Sequence, residues 1–440
     1  MFKKSRVISI LLAAFLVVAV VSGLSAQEQI TLKVLNYLDL TSPGTEREIK
    51  EIWEAFEKNN PDIKIEREDL FGEPFHQKLE AYAAAGNLPD VIYMWPGARS
   101  ATLHDKKLVK DLAPFLGDMA DEFVPAAVDP NNQRGKYLAM IPIGITATHM
   151  LYVNQEMLND LGLNMPETYD ELKTMVPKLQ EAGKDVVIMG AQDDWVIQSV
   201  LFSMIVGRLA GDAFIDKILA GEAKFTDEPF VSTLKFYQQL FDDGVLTPDI
   251  VMTPYGTSPA LFAAGEAPFT IDGDWRVGAF LTDPATGEAL IPPEKQDNIL
   301  LTIFPAIPDE VTPNSTSMVL ATGFGMSAAI PDNSPKEEAA WRLISWLVSP
   351  EVQKIRLETG AAIPSRKGIT AEGLEPLVEQ RLRFYEKYVG TYVLDDVLPP
   401  EAYMPINVGL QEIALGMSTP EDVAAKVQKG YEEWIAGLEE

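Results

Sequence analysis

A two-unit α/β fold is what this 440-residue sequence predicts. Three observations carry the expectation. From Ile30 the chain alternates short apolar strands with amphipathic helices, as a parallel sheet requires. The same alternation restarts near Met150. The length, with 47% hydrophobic residues, also suits two cores of comparable size better than one.

In chain order, the segment ITLKVLNYLD sets Ile30, Leu32, Val34 and Leu35 as a first core strand. Thr45 and Glu48 have capping-box spacing, and Ile49, Ile52, Trp53 and Phe56 recur at helical intervals until Asn59-Asn60-Pro61 stops the helix. DIKIERE predicts a second strand, Phe75 to Ala85 a helix ended by Gly86, and VIYM a third strand after Asn87-Leu88-Pro89-Asp90. In the second unit, MLYVN is a strand. Thr168 and Glu171 form another capping box before a stripe of Leu172, Met175, Val176 and Leu179, interrupted by Pro177. VVIMG predicts a strand, and VIQSVLFSMIVGRLA, apolar nearly all round, predicts a helix buried inside its domain. Ser334-Pro335-Lys336-Glu337 caps a helix carrying Ala340, Trp341, Ile344 and Leu347, with proline where its missing N–H is harmless. Thr419-Pro420 opens the last helix, with Val423, Val427, Tyr431 and Trp434 on one face. There is no internal repeat and no low-complexity segment.

Residues 1–26 read as a secretory signal peptide. The start is basic (Lys3, Lys4, Arg6), an apolar run follows from Val7 to Val21, and small residues lead to a cleavage site after Ser25 or Ala26. An uncleaved anchor is the alternative. Removing the three basic residues takes the formal charge from −29 to −32, a field that repels nucleic acid and anionic lipid. The chain has no cysteine, which excludes disulfides, thiolate chemistry and the acylated cysteine of a lipoprotein. An exported, unanchored protein stays near its cell only behind an outer membrane. The expected location is therefore the periplasm, with free secretion as the alternative. No GxSxG elbow, phosphate loop or HExxH occurs, and His76, His104 and His149 are too scattered for a metal site. The sequence therefore predicts neither a metal nor a cofactor.

Five segments, HQKLEAYAAAGNLPDVIYMW, GKYLAMIPIG, LYVNQEMLNDLGLNMPETYDELKTMVPKL, ALFAAGEAPFTIDGDW and SPKEEAAWRLISWLVSPEVQKIRLETGAAIPSRKG, occur in an order that resembles the family 1 extracellular solute-binding proteins, the sugar-type receptors of ATP-driven importers. The likeness spans nearly the whole mature chain. It implies a two-lobed periplasmic binding protein fold of type II, with a ligand cleft between lobes that close by a hinge motion. One lobe would hold residues 27–143 plus 306–361, the other 144–305 plus 362–440. Crossings are expected near Ile141-Pro142, Phe304-Pro305 and Ile363-Pro364. The implied partners are a small carbohydrate and the permease subunits of an ABC transporter in the inner membrane. The protein is expected to be a monomer that binds no nucleic acid.

A neutral sugar offers hydroxyls to carboxylates and amides and apolar C–H faces to aromatic rings. In open α/β sheets ligands lie beyond the carboxyl ends of strands. The strand exits supply that mixture: Tyr37 and Asp39, Trp95, then Asp193, Asp194 and Trp195, then Asp274 and Trp275. The resemblance makes Trp275 the stacking residue. It also adds Phe324, in a stretch where relatives carry an aromatic between glycines, and Thr146 and Thr148 after the first crossing. Arg366 could reach the cleft or pair with a surface carboxylate, and Asp274 could instead cap the turn after Gly273. Trp53, Trp341, Trp346 and Trp434 lie in or beside helical stripes and are read as core.

Two other functions compete. Asp193, Asp194, Asp272 and Asp274 could form the carboxylate pair of a secreted glycoside hydrolase, although nothing fixes the separation such chemistry needs. The same receptor fold could bind a polyol or a glycerophosphate-type anion, but an anion wants a basic cluster and these loops are acidic and aromatic. The preferred reading is a non-enzymatic receptor.

Overall fold

The structure, a computed structural model, describes residues 29–42, 44–129, 137–320 and 322–439. The expected signal peptide lies outside them. In chain order the strands are β1 (Ile30–Tyr37), β2 (Ile63–Leu70), β3 (Val91–Met94), β4 (Ile141–Pro142), β5 (Gly144–Ala147), β6 (Met150–Asn154), β7 (Val187–Ile188), β8 (Phe269–Asp272), β9 (Ile299–Thr302), β10 (Ser315–Leu320), β11 (Gly323–Met326), β12 (Ile363–Pro364) and β13 (Val389–Thr391).

They form three sheets, ordered β2-β1-β3-β11-β4, β12-β5-β10-β13 and β7-β8-β6-β9. In the first, β1 is parallel to both β2 and β3. Its alternation works as the sequence requires. Leu32 and Val34 face a core with Trp53, Phe56 and Leu343, while Leu35 faces the opposite side with Phe75 and Leu79. The third sheet is covered in the same way. Leu151, Val153 and Phe269 face a helical core that includes Phe202, Tyr237 and Leu410, and Met150, Tyr152 and Leu301 face Phe280 and Phe384. The middle sheet joins the two, since β4 leads into β5 and β10 leads towards β11. Of the expected crossings, Ile141-Pro142 is β4, Ile363-Pro364 is β12, and Phe304-Pro305 follows β9 after one intervening residue. The carbonyls of Phe304 and Pro305 accept from Arg208 Nη1 at 2.8 and 3.0 Å.

Several local expectations hold. The Thr168–Glu171 capping box is present, and Ser334 accepts from the Glu337 N–H with Pro335 at the first helical position. The apolar run at 197–209 is a buried helix whose first part, Ile197–Phe202, is wound as π-helix. Others need correction. Gly44 precedes the first helix, and Thr45 Oγ1 donates to the Asp39 carbonyl at 2.8 Å instead of capping. VVIMG keeps only Val187–Ile188 as strand. Of the four tryptophans read as core, Trp53 is fully buried, whereas Trp341, Trp346 and Trp434 are half-buried. Among the described residues no single helix is long and apolar enough to cross a membrane.

Candidate functional site

The three adjacent parallel strands of the first sheet end in aromatic residues. Tyr37 closes β1, Phe71 follows β2, and Trp95 follows β3, so the fold gathers rings that are distant in sequence. Tyr37 is the hub. Its ring lies 4.8 Å from Trp95, edge to face, 4.9 Å from Phe71, and 5.7 Å from Tyr93 in a stacked arrangement. His76, in the first turn of the helix Glu73–Ala85, sits 4.7 Å from Trp95. Burial and then the Arg99 charge hold His76 down at about 4, so its imidazole is neutral at ordinary pH. Burial pushes the Tyr37 phenol above its usual range.

A second aromatic wall comes from the third sheet. β8 ends at Asp272, and Gly273-Asp274-Trp275-Arg276 turns off its end. The Trp275 ring folds back over Gly273: a Cβ there would meet ring carbons at 2.2–2.4 Å. Gly273 has φ −69°, so its role is to leave room for the indole and not to permit an unusual backbone. Trp275 Nε1 donates to Tyr255 Oη at 2.5 Å, and Tyr255 Oη donates to Asp272 Oδ1 at 3.0 Å. Trp195 lies 5.1 Å from Tyr255 and 6.4 Å from Trp275. Arg276 covers the Tyr255 ring at 4.1 Å.

Both carboxylates of the Asp-Gly-Asp-Trp step have arginine partners. Asp272 pairs with Arg276 at 2.6 Å. Asp274 is fully buried, pairs with Arg381 at 2.8 Å, accepts from Thr146 Oγ1 at 2.5 Å, and takes the Tyr385 hydroxyl as well. Near Tyr37 and His76, Arg99 Nε and Nη2 donate to Asp395 Oδ2 at 2.8 and 2.5 Å, while Ser199 Oγ donates to Asp395 Oδ1 at 3.0 Å. Asp194 stands near this pair, its pKa raised by burial.

The structure thus brings Tyr37 and Trp95 together on one wall and Trp195 and Trp275 on the other. It places the remaining expected site residues elsewhere or commits them internally. Phe324 is buried in β11 between Trp53 and Tyr93, at 6.0 and 5.2 Å, because the strand is internal to its sheet. Thr148 is buried against Ser317, their hydroxyls 2.7 Å apart. Arg366 takes the second option open to it: it pairs with Glu122, donates to the Val348 carbonyl and lies 4.4 Å from the Phe123 ring. Asp274 is a structural anion and does not face solvent, and Thr146 is held to it. Asp39 stays at the rim but is spent on Thr41, whose N–H and hydroxyl reach it at 2.8 and 2.6 Å. Asp193 is exposed.

Sequence reasoning missed His76, Arg99, Tyr255, Asp395 and Arg381. Arg381 and Tyr385 carried a signal, being one helical turn apart on Pro376–Lys387 and converging on Asp274. Arg99, four residues past Trp95, carried none that names Asp395.

An open groove of about 280 Å³ lies apart from both walls and is lined by Gly44, Glu46, Arg47, Lys50, Glu51 and Pro284. Its cations already pair with Glu46, Glu51 and Glu358. Among the described residues no group of three His, Asp or Glu could hold a metal.

The profile of a family described as bacterial extracellular solute-binding protein matches residues 42–354. A Brucella abortus protein named as a binding protein is 24% identical over 409 residues, 92% of this chain and 90% of that one. A Mesorhizobium japonicum protein named as a sugar-binding periplasmic protein is 24% identical over 213 residues, 46% of this chain and 48% of that one. A solved structure of a chitin oligosaccharide binding protein superposes with a TM-score of 0.80 at 21% identity, covering 93% of this chain and all of that one. The shared fold is the two-lobed one expected from the sequence.

Proposed function

This chain belongs to the bacterial extracellular solute-binding proteins, and from that membership we propose that it captures a neutral carbohydrate between the Tyr37–Trp95 wall and the Trp195–Trp275 wall. The observation that carries the reading is the pairing of charges around those rings. Asp272, Asp274 and Asp395 each hold an arginine, and His76 is neutral, so Arg99, Arg276 and Arg381 are already paired and the walls offer apolar faces and hydroxyl partners to a neutral solute. The names of the M. japonicum relative and the chitin oligosaccharide binding protein support the same ligand class. Locking Asp272 and Asp274 to separate arginines also weakens the glycoside hydrolase alternative, because neither carboxyl is free to move a proton.

Within this reading the protein is a periplasmic monomer, exported by a cleaved signal peptide and not lipidated. Its lobes are residues 27–143 plus 306–361 and 144–305 plus 362–440. The loaded form delivers its sugar to the permease of an ABC transporter. A thermal-shift screen against neutral mono- and oligosaccharides tests the ligand class. A cognate sugar at a hundred times its Kd should add about 2.7 kcal/mol of stability. Stabilisation by a glycerophosphate diester, and by none of the sugars, would overturn it.

A further inference from the structure

We propose that Arg99 and Asp395 form a latch between the lobes, which biases the protein towards closure before any solute binds and thereby sets its affinity. The two residues are 296 positions apart, and each sits on a short helix of a different proposed lobe: Arg99 on Gly97–Ser100 beyond β3, and Asp395 on Leu394–Val397. Two donors of one guanidinium converge on a single carboxylate oxygen at 2.8 and 2.5 Å. The other oxygen is occupied by Ser199, so the carboxylate is oriented by its own lobe. The Leu394 N–H donates to Ser203 Oγ at 3.0 Å, which pins the start of the same short helix to the buried helix at 197–209.

A second feature of the contact is steric. Gly97 has φ +65°, and a Cβ there would fall 1.9 Å from Asp396 Oδ1 and 2.2 Å from the Asp396 carbonyl oxygen. Only glycine lets the two lips approach this closely. The backbone of one lobe thus rests against the other at the point where the charges pair.

The strength of such a latch is self-limiting. A buried pair that loses one partner for good leaves a costly bare charge, but lobes that part expose both groups to water, so opening exchanges the pair for hydration. The latch therefore tilts the open–closed equilibrium without freezing it. A solute held best by the closed form binds with an apparent Kd equal to its intrinsic Kd divided by the closed fraction. Weakening the latch lowers that fraction and weakens binding without removing any solute contact.

Small-angle scattering on the protein alone tests this, and that arm does not rest on the solute being a sugar; the affinity arm does. Gly97→Ala and Asp395→Asn should each give a larger radius of gyration than wild type, and saturating sugar should return Asp395→Asn to the wild-type value. Sugar affinity should fall roughly three- to thirtyfold in parallel. Far-ultraviolet circular dichroism checks each fold. Arg99→Gln, which leaves Asp395 with Ser199, replaces Asp395→Asn should that variant not fold. Radii equal to wild type in the folded variants would overturn the latch. Weaker binding at an unchanged radius would also overturn it, and would make Arg99 a direct solute contact.

Discussion

Asp272 and Asp274, two positions apart, are held by different arginines, and that division fixes what Trp275 can be. Its indole is a half-buried ring tied by Nε1 to Tyr255, whose hydroxyl is in turn tied to Asp272. Trp275→Ala should weaken sugar binding roughly ten- to a hundredfold, from lost stacking and apolar contact of about 1–3 kcal/mol. It should also lower stability by about 1–2 kcal/mol, because a hydrogen bond and part of the ring's burial go with it. Calorimetric titration beside thermal melting separates the two losses, and unchanged affinity would remove Trp275 from the site. Gly273→Ala makes a sharper test. Its backbone is ordinary, so the fold should survive, yet the new methyl displaces the indole and affinity should fall nearly as far as in Trp275→Ala. Asp274→Asn should behave in the opposite way. It strands the buried Arg381 charge, costs about 3–5 kcal/mol by denaturant unfolding, and leaves the affinity of the folded fraction close to wild type.

At the scale of elements, what was legible depended on how local the signal was. The helix Tyr169–Glu181 could be read because its capping box is complete within four residues, and Thr168→Ala should cost about 1 kcal/mol of stability. The Thr45–Glu48 spacing looked the same and misled, because Thr45 turns back to the Asp39 carbonyl. The four tryptophan and tyrosine positions of the proposed walls were chosen from the rule that ligands lie beyond strand ends. Phe324 and Thr148 could not be excluded from sequence. Their burial depends on neighbours in the sheet, Tyr93 and Ser317, that only the strand order supplies. Arg99 and Asp395 were invisible for a related reason, since their meeting depends on how one lobe stands against the other.

At the scale of the whole molecule, the fully buried His149 and the half-buried His76 link fold to acidity. His149 Nδ1 donates to the Val200 carbonyl at 2.8 Å, its Nε2 accepts from the Phe304 N–H at 3.3 Å, and burial, then the Arg208 charge, holds it at about 3. His76 is held at about 4. Both folded values lie below the ordinary 6.5, so the unfolded chain binds protons that the folded chain refuses. Their contribution is fully present above about pH 6.5 and declines as pH falls towards the folded values. Between pH 6.5 and 5, above the range where most carboxylates titrate, each histidine should remove on the order of 1 kcal/mol of stability per pH unit. Calorimetric melting of His149→Gln should show a shallower dependence than wild type over that window; an equal slope would clear His149 of the effect.

The order β2-β1-β3-β11-β4 has a consequence for a chain made amino end first. β3 and β4 are joined only through β11, which pairs Phe324 with Tyr93 and with Ile141. Residues 29–142 can form β1 against its parallel neighbours, but the seam between β3 and β4 stays open until Gly323–Met326 has been synthesised. Leu343, on the helix Pro335–Leu347, which covers Leu32 and Val34, arrives later still. Contacts of such long sequence separation are slow to form. The nascent chain is thus kept from completing its first sheet until roughly three-quarters of it has been made, and on the proposed export route that interval leaves it loose enough to be threaded outward.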